Sequence, residues 1–182
     1  MEQYIAQNKD YKFPRYLNAI LVALIVILFL ILLCLLFVVS PMTIVGDSMQ
    51  NTLIEGDHIF LLKVFYDYTY GDILIFKKDS LSDKKIIKRV IGMPGDYIRY
   101  DIIEKCWYRN DQKLIEDYVK CEYTDYYLDS SYIKSELTSE KGLLVEDNSL
   151  FILGDNRVVS NDSHIYGCIS MDLIVGKYLF TY

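Results

Sequence analysis

A serine hydroxyl is a weak nucleophile until a neighbouring base takes its proton. Ser48 is the serine best placed to be one, because Val45-Gly46-Asp47-Ser48-Met49 ends a β-like run with a glycine and exposes the serine on a turn. A serine in a Gly/Asp turn is more often an ordinary turn-former than a nucleophile. The two histidines, His58 and His164, sit in no recognisable Ser-His-Asp motif. The other available base is a lysine kept neutral by burial. Lys88 lies inside the apolar segment Ile86-Ile87-Lys88-Arg89-Val90-Ile91. If that segment is a strand, alternation puts Lys88 on the face of Ile86 and Val90, and Arg89 on the opposite face. An ammonium on an apolar face loses its hydration, and its pKa falls from ~10.4 by up to several units. The same pattern also fits a lysine on a solvated face.

The elements around these residues read as β-structure. After Pro41 short apolar runs alternate with turn-formers, giving candidate strands at 42–45, 58–64, 72–76, 85–91, 97–103, 143–145, 150–153 and 173–181. Between them stand Glu55-Gly56-Asp57, Tyr70-Gly71-Asp72, Met93-Pro94-Gly95-Asp96 and Gly154-Asp155-Asn156. Pro94-Gly95 suits the centre of a type II turn, where proline presets φ and glycine supplies φ > 0. Residues 104–141 differ, being rich in tyrosine and charge, and read as an inserted hairpin or small subdomain. The 17 tyrosines are spread along the chain and serve as strand-formers rather than as a binding stripe.

Ahead of the β region, residues 17–39 read LNAILVALIVILFLILLCLLFVV, with Asn18 the only clearly polar side chain. The run is long enough to cross a ~30 Å hydrocarbon core and has no polar face for a soluble protein's surface. It exceeds the ~7–15 apolar residues of a cleaved secretory signal. The one plausible processing site, Val38-Val39-Ser40, is followed by Pro41, a poor residue after a scissile bond. The segment therefore reads as an uncleaved anchor. Lys9, Lys12 and Arg15 precede it and no basic residue follows until Lys63, so the N-terminus is expected in the cytoplasm and the rest outside. Ser48 lies nine positions beyond Val39, a reach of at most ~30 Å, which keeps it near the membrane surface.

The chain has 182 residues with 19 basic and 25 acidic side chains; three and two of these lie in residues 1–16, leaving 16 against 23, a net of −7, beyond them. That balance excludes nucleic acid as a partner and polybasic docking on anionic lipid. Cys34 lies in the apolar run as a small hydrophobe. Cys106 and Cys121 are placed where a disulfide is permitted, and their spacing is not a metal signature; the pairing stays open.

Taken together, four motifs in order resemble the bacterial type I signal peptidases. Behind the anchor comes Gly46-Asp47-Ser48-Met49-Gln50-Asn51-Thr52-Leu53, then Gly71-Asp72-Ile73-Leu74-Ile75-Phe76. Ile87-Lys88-Arg89-Val90-Ile91-Gly92-Met93-Pro94-Gly95-Asp96 follows, and last Gly154-Asp155-Asn156-Arg157 with Ser160, Asp162, Ser163 and Gly167. The resemblance implies a mainly β fold: an N-terminal transmembrane helix, then an antiparallel, barrel-like catalytic domain from 40–103 and 142–182 with the 104–141 insertion. It implies a membrane-bound serine endopeptidase that removes signal peptides from exported preproteins near the export machinery, without metal or organic cofactor. The partners implied are preproteins and membrane lipid. A Ser-Lys self-cleaving repressor shares such a fold but lacks an anchor, and a catalytically inactive tethered preprotein-binding module is the reading of another class.

Residue by residue, the resemblance makes Ser48 the nucleophile and Lys88 the general base. Ser160 would hydrogen-bond and orient the lysine, with Asp162 in support and Arg89 beside it. Gly46 stands where some relatives carry a serine that assists the Ser48 N–H at the oxyanion. Ile44, Val45, Met49, Leu53, Ile86 and Ile87 match the walls of shallow pockets for small residues at P1 and P3. Asn51 replaces a proline of the nucleophile motif. His164 replaces an arginine, and its two-residue offset would put it beside Asp162 in an extended segment.

Overall fold

The computed structural model describes residues 15–64, 67–78, 83–119 and 134–182. Two compact units make up the chain, Met1–Val38 and Val39–Tyr182. The first contains one helix, α1 (Arg15–Val38), filled on every side with Leu, Ile, Val and Phe. Its residues from Tyr16 are almost all exposed, and mean hydropathy reaches 3.7. At ~1.5 Å per residue it is about 36 Å long, enough for a single membrane span. It stops one residue before the apolar run does, because Val39 already pairs with Leu62 as a strand residue.

The second unit is built from β1 (Val39–Thr43), β2 (His58–Leu62), β3 (Ile73–Lys77), β4 (Lys85–Gly92), β5 (Tyr97–Asp101), β6 (Cys106–Arg109), β7 (Gln112–Lys113), β8 (Leu143–Leu144), β9 (Ser149–Leu153), β10 (Ile169–Ser170) and β11 (Ile174–Thr181), with a one-turn helix α2 (Ser163–Tyr166). A seven-stranded sheet runs β1-β2-β11-β3-β4-β9-β10 and a four-stranded sheet runs β7-β6-β5-β8, every pair antiparallel. Bulges in β11 and at Val90–Gly92 of β4 bend the large sheet into a curl.

Central position explains composition. β3 lies between β11 and β4, and Ile73, Leu74, Ile75 and Phe76 are all buried. Ile73 and Ile75 join a cluster with Ile44, Met49, Leu53 and Ile87. Leu74 and Phe76 join another with Val90, Leu150 and Ile152, against which Ile86 packs. The alternation expected in β4 therefore holds, with Ile86 and Val90 on one side and Ile87 on the other. A third cluster, around Trp107, Tyr100, Phe151 and Leu137, lies where the small sheet meets β9.

Strands β6, β7 and β10 have no counterpart among the expected ones. Gln112–Lys113 is wholly polar and exposed and carries no apolar alternation to read. The β6–β7 hairpin is set by its turn instead: Asn110 and Asp111 both take positive φ, 51° and 61°, as a two-residue type I′ connection requires. The first expected strand, 42–45, is displaced to Val39–Thr43, and Val45 lies outside the ladder, 84% exposed. Cys106 is a buried free thiol with its pKa pushed up by burial, and Cys121 lies outside the described residues.

Gly176 sits at the β11 bulge, where a Cβ would stand 2.6 Å from Leu61 Cδ1 and 2.8 Å from the Leu62 carbonyl oxygen. A backbone oxygen cannot swing aside as a side chain can. Gly176→Ala should therefore destabilise the fold by about 1–3 kcal/mol, read as a lower urea midpoint at unchanged slope. An unchanged midpoint would mean that β11 shifts to make room.

Candidate active site

Ser48 is carried on the connection between β1 and β2. Gly46 turns the chain with φ at 90°, a conformation that favours glycine, and its N–H donates to Glu55 Oε1 at 3.3 Å. Past the serine the backbone closes a tight turn, with Gln50 N donating to Asp47 O and both Thr52 N and Leu53 N to Met49 O. Met49 and Leu53, each 2% exposed, plug that turn into the core and fix the serine at its shoulder.

Lys88 comes from the middle of β4 and is 3% exposed. Its Nζ lies 2.6 Å from Ser48 Oγ. Burial lowers the pKa of Lys88 from its ordinary value, opposed in turn by the charges of Asp162, Asp155 and Asp47. A free amine within hydrogen-bond reach of a hydroxyl, in a water-poor setting, can accept that hydroxyl's proton. Neither histidine lies there: His58 pairs with Thr43 Oγ1 and stacks near Tyr182, and His164 turns to Asp162.

Asp162 is fully buried and gathers donors around its carboxylate. Gly154 N donates to it at 2.8 Å, Ser160 Oγ at 2.5 Å, and His164 N at 3.3 Å, with His164 Nδ1 at 2.7 Å. Burial alone would raise its pKa, but the hydrogen bond and charge of His164, and the bonds from Ser160 and Gly154, carry it below the usual value. The Ser160 hydroxyl donates to Asp162, a strong acceptor as a buried carboxylate. Asp162 and His164 do meet, though not across an extended segment: Asp162 caps the one-turn helix α2, which turns His164 back onto it.

Arg89 leaves β4 in a different direction from Lys88, yet it is not idle. Its Nε and Nη2 reach Asp155 at 2.9 and 2.6 Å, and Nη1 donates to Gly71 O at 2.8 Å. Asp155, 0% exposed, also accepts from Thr52 Oγ1, and its carbonyl accepts from Asn51 Nδ2 at 2.9 Å. Its N–H meets Met49 Sδ, and Asn156 N donates to Ser48 O at 2.9 Å. The Gly154-Asp155-Asn156 turn therefore grips the serine loop from behind. Asn51 supplies a tie that a proline there could not. Sequence reasoning gave no role to Asp155, Thr52 or Asn156, although the motif containing Asp155 and Asn156 was in view.

Beside the pair a cleft of about 440 Å³ is lined by Ile44, Val45, Met49, Ile86 and Ile87, with Lys84 and Lys85 among the residues at its margin. Leu53 is not part of that lining; it is consumed in packing against Ile44 and Met49. Among the described residues no three His, Cys, Asp or Glu side chains are grouped to hold a metal ion.

A sequence model of the family described as signal peptidase, peptidase S26, matches residues 16–182. A probable signal peptidase I-1 from Synechocystis sp. is 33% identical over 187 residues, covering 97% of this chain and 88% of that protein. A signal peptidase IB from Staphylococcus aureus is 34% identical over 154 residues, or 80% of this chain and 78% of that one. A solved signal peptidase I from Enterococcus faecalis V583 superposes with a TM-score of 0.48 at 25% identity, covering 64% of this chain and 100% of that one. The chain is a serine peptidase, a hydrolase of mainly antiparallel β structure. It belongs to the signal peptidase, peptidase S26, family, whose work is the removal of signal peptides from exported preproteins.

The donors around Asp162 predict an acid-sensitive contribution to stability. A carboxyl whose folded pKa lies below its unfolded ~3.9 stabilises the fold above that value and ceases to as pH falls through the folded one. At pH 7 Asp162→Asn should melt roughly 5–10 °C lower. Below about pH 4 the parent should lose stability that the variant has already lost, and the two melting curves should converge. Parallel acid profiles would show that the carboxylate charge does no such work.

Proposed function

We propose that this chain is a single-pass membrane endopeptidase that cuts preproteins after small residues at P1 and P3, with Ser48 as nucleophile and Lys88 as general base. The 2.6 Å approach of Lys88 Nζ to Ser48 Oγ, with Lys88 all but shut off from water, carries the reading. Residues 1–16 lie in the cytoplasm, 17–39 anchor the chain, and the catalytic unit works outside at the lipid surface, near the export machinery. Basic residues on one flank of the apolar helix support that orientation.

The chemistry runs as two acyl transfers. Ser48 Oγ attacks the scissile carbonyl carbon while its proton moves to Lys88 Nζ. The carbonyl oxygen becomes an oxyanion beside the Ser48 N–H; Gly46 offers no side chain to assist. Collapse breaks the C–N bond, and Nζ returns the proton to the departing amine, which leaves as the new N-terminus of the mature protein. A water then gives a proton to Nζ and attacks the acyl-enzyme. The signal peptide departs as a free acid and Ser48 regains its proton.

The substrate backbone has a natural place to lie. β9 pairs only with the Arg89–Gly92 half of β4, so among the described residues Lys85–Lys88 has β3 on one edge and no strand on the other. An extended signal-peptide C-region adds there as a further strand and drops alternate side chains into the cleft. The branched walls of Ile44, Val45, Ile86 and Ile87 leave depth for alanine-sized groups, a steric selection.

Ser48→Ala and Lys88→Met should each reduce cleavage of a preprotein by several orders of magnitude, since a cooperating pair fails as a unit. Lys88→Arg should be as inactive, because a guanidinium stays protonated at every working pH. In the parent, activity should climb with pH through the folded pKa of Lys88, which lies below 10.5, as the neutral amine becomes populated. Turnover by Lys88→Arg would end the mechanism. Ile87→Ala, which deepens the cleft, should raise kcat/KM for a valine at P1 about tenfold relative to alanine, measured on paired peptides.

A further inference from the structure

The Ser48–Lys88 reading leaves a second set of charges unexplained. Arg157, 1% exposed, stands behind the Gly154 peptide and donates from Nε to Gly154 O at 2.9 Å. Its Nη2 meets Glu116 Oε1 at 2.5 Å, and the Glu116 side chain is only 7% exposed. Tyr118 Oη donates to the same glutamate oxygen at 2.8 Å. The Tyr118 ring lies 4.1 Å from the guanidinium carbon of Arg89, the arginine that holds Asp155. Burial, and after it the Glu116 charge, push the Tyr118 phenol far up, so it stays a neutral donor. Two like-charged arginines thus share one turn, one neutralised by Asp155 and the other by Glu116, with Tyr118 between them.

Both partners come from the segment after β7, inside what reads from sequence as a mere insertion. Leu114 N donates to Trp107 O at 2.9 Å, Leu114 packs on the Trp107 cluster, and Val119 N closes a turn on Glu116 O at 2.9 Å. The segment is therefore seated in the core before it crosses the turn. What it crosses matters. Gly154 gives its N–H to Asp162 and its carbonyl to Arg157. A Cβ on Gly154 would lie 2.2 Å from Ser160 Oγ and 2.5 Å from Ser48 O. Any tilt of this peptide moves Ser48 and Ser160 with it.

We propose that Glu116 and Tyr118 are positioning residues for cleavage, holding Arg157 and Arg89 so that the Gly154-Asp155 turn keeps Ser48 in line with Lys88. The proposal rests on the Ser48–Lys88 reading above. Neither residue lines the cleft, so their effect should fall on turnover and spare substrate binding.

The test is steady-state cleavage of a signal-peptide substrate by the full chain in detergent micelles, with melting temperatures measured alongside. Displacement of reacting groups by a fraction of an ångström is costly, so Tyr118→Leu should lower kcat about tenfold with KM within about twofold. Tyr118→Phe keeps the ring against Arg89 and should restore most of that loss. Glu116→Gln, which removes the Glu116 charge from beside Arg157, should lower kcat about 10- to 100-fold. If that variant fails to fold, the Tyr118 pair decides alone. Parental kcat in Tyr118→Leu, a loss carried by KM, or no recovery in Tyr118→Phe would overturn the positioning role. Ser48→Ala and Lys88→Met run in the same assay separate the two ideas. If both are inactive while Tyr118→Leu is not impaired, the positioning role alone falls; if either turns over, the Ser48–Lys88 reading falls and takes this one with it.

Discussion

The proposed role of Lys88 as a base requires an amine that is short of water and not captured by a carboxylate. Burial alone lowers its pKa, but Asp162, Asp155 and Asp47 all pull the other way. Much of the architecture disposes of those charges. Asp155 spends its oxygens on the fork of Arg89 and on Thr52. Asp162 is saturated by Gly154, Ser160 and His164. Asp47 stays exposed, where water screens it. Each acid has a partner or solvent of its own, which leaves the hydroxyl of Ser48 as the group bonded to the amine.

The other half of the arrangement is how a surface loop is made rigid. Besides the local turn bonds of the serine connection, further ties run to residues more than a hundred positions away, just past the end of β9. Gly154 permits this by lacking a side chain where two backbones and a hydroxyl converge. Loop, turn and buried carboxylate form one hydrogen-bonded body, and such networks hold reacting groups better than isolated contacts do.

The features that sequence conveyed were those with a local cause. Turn residues, the all-apolar helix and the alternation in β4 each follow from a few adjacent side chains, and the strands at 58–62, 73–77 and 85–92 lie close to where pattern puts them. For Ser48 and Lys88 the local pattern left an ordinary turn serine and a solvated lysine open, and the ordered family motifs singled them out. The rest is non-local. Nothing near Asp155 announces that Arg89 will meet it, and nothing near Ser160 says that its hydrogen will go to Asp162 rather than to a lysine on another strand. Residues 104–141 read as a hairpin or small subdomain without strand bounds, because the pairing at 106–113 depends on two positive φ angles and not on hydrophobicity. The family resemblance made Leu53 a pocket wall; the tight turn at Met49 directs it into the core instead.

The half-open edge of β4 carries a second implication, for solubility rather than for specificity. A row of backbone groups that are unpaired among the described residues offers the same hydrogen bonds to the proposed peptide and to the same row on a second molecule. The residues at its outer end are Lys84 and Lys85, both exposed, next to the apolar Ile86 and Ile87. Two like charges brought face to face oppose edge-to-edge pairing of identical molecules, while a foreign strand lacking them meets no such barrier. The same lysines that leave the proposed peptide site open to a guest strand thus set a charge barrier against self-assembly.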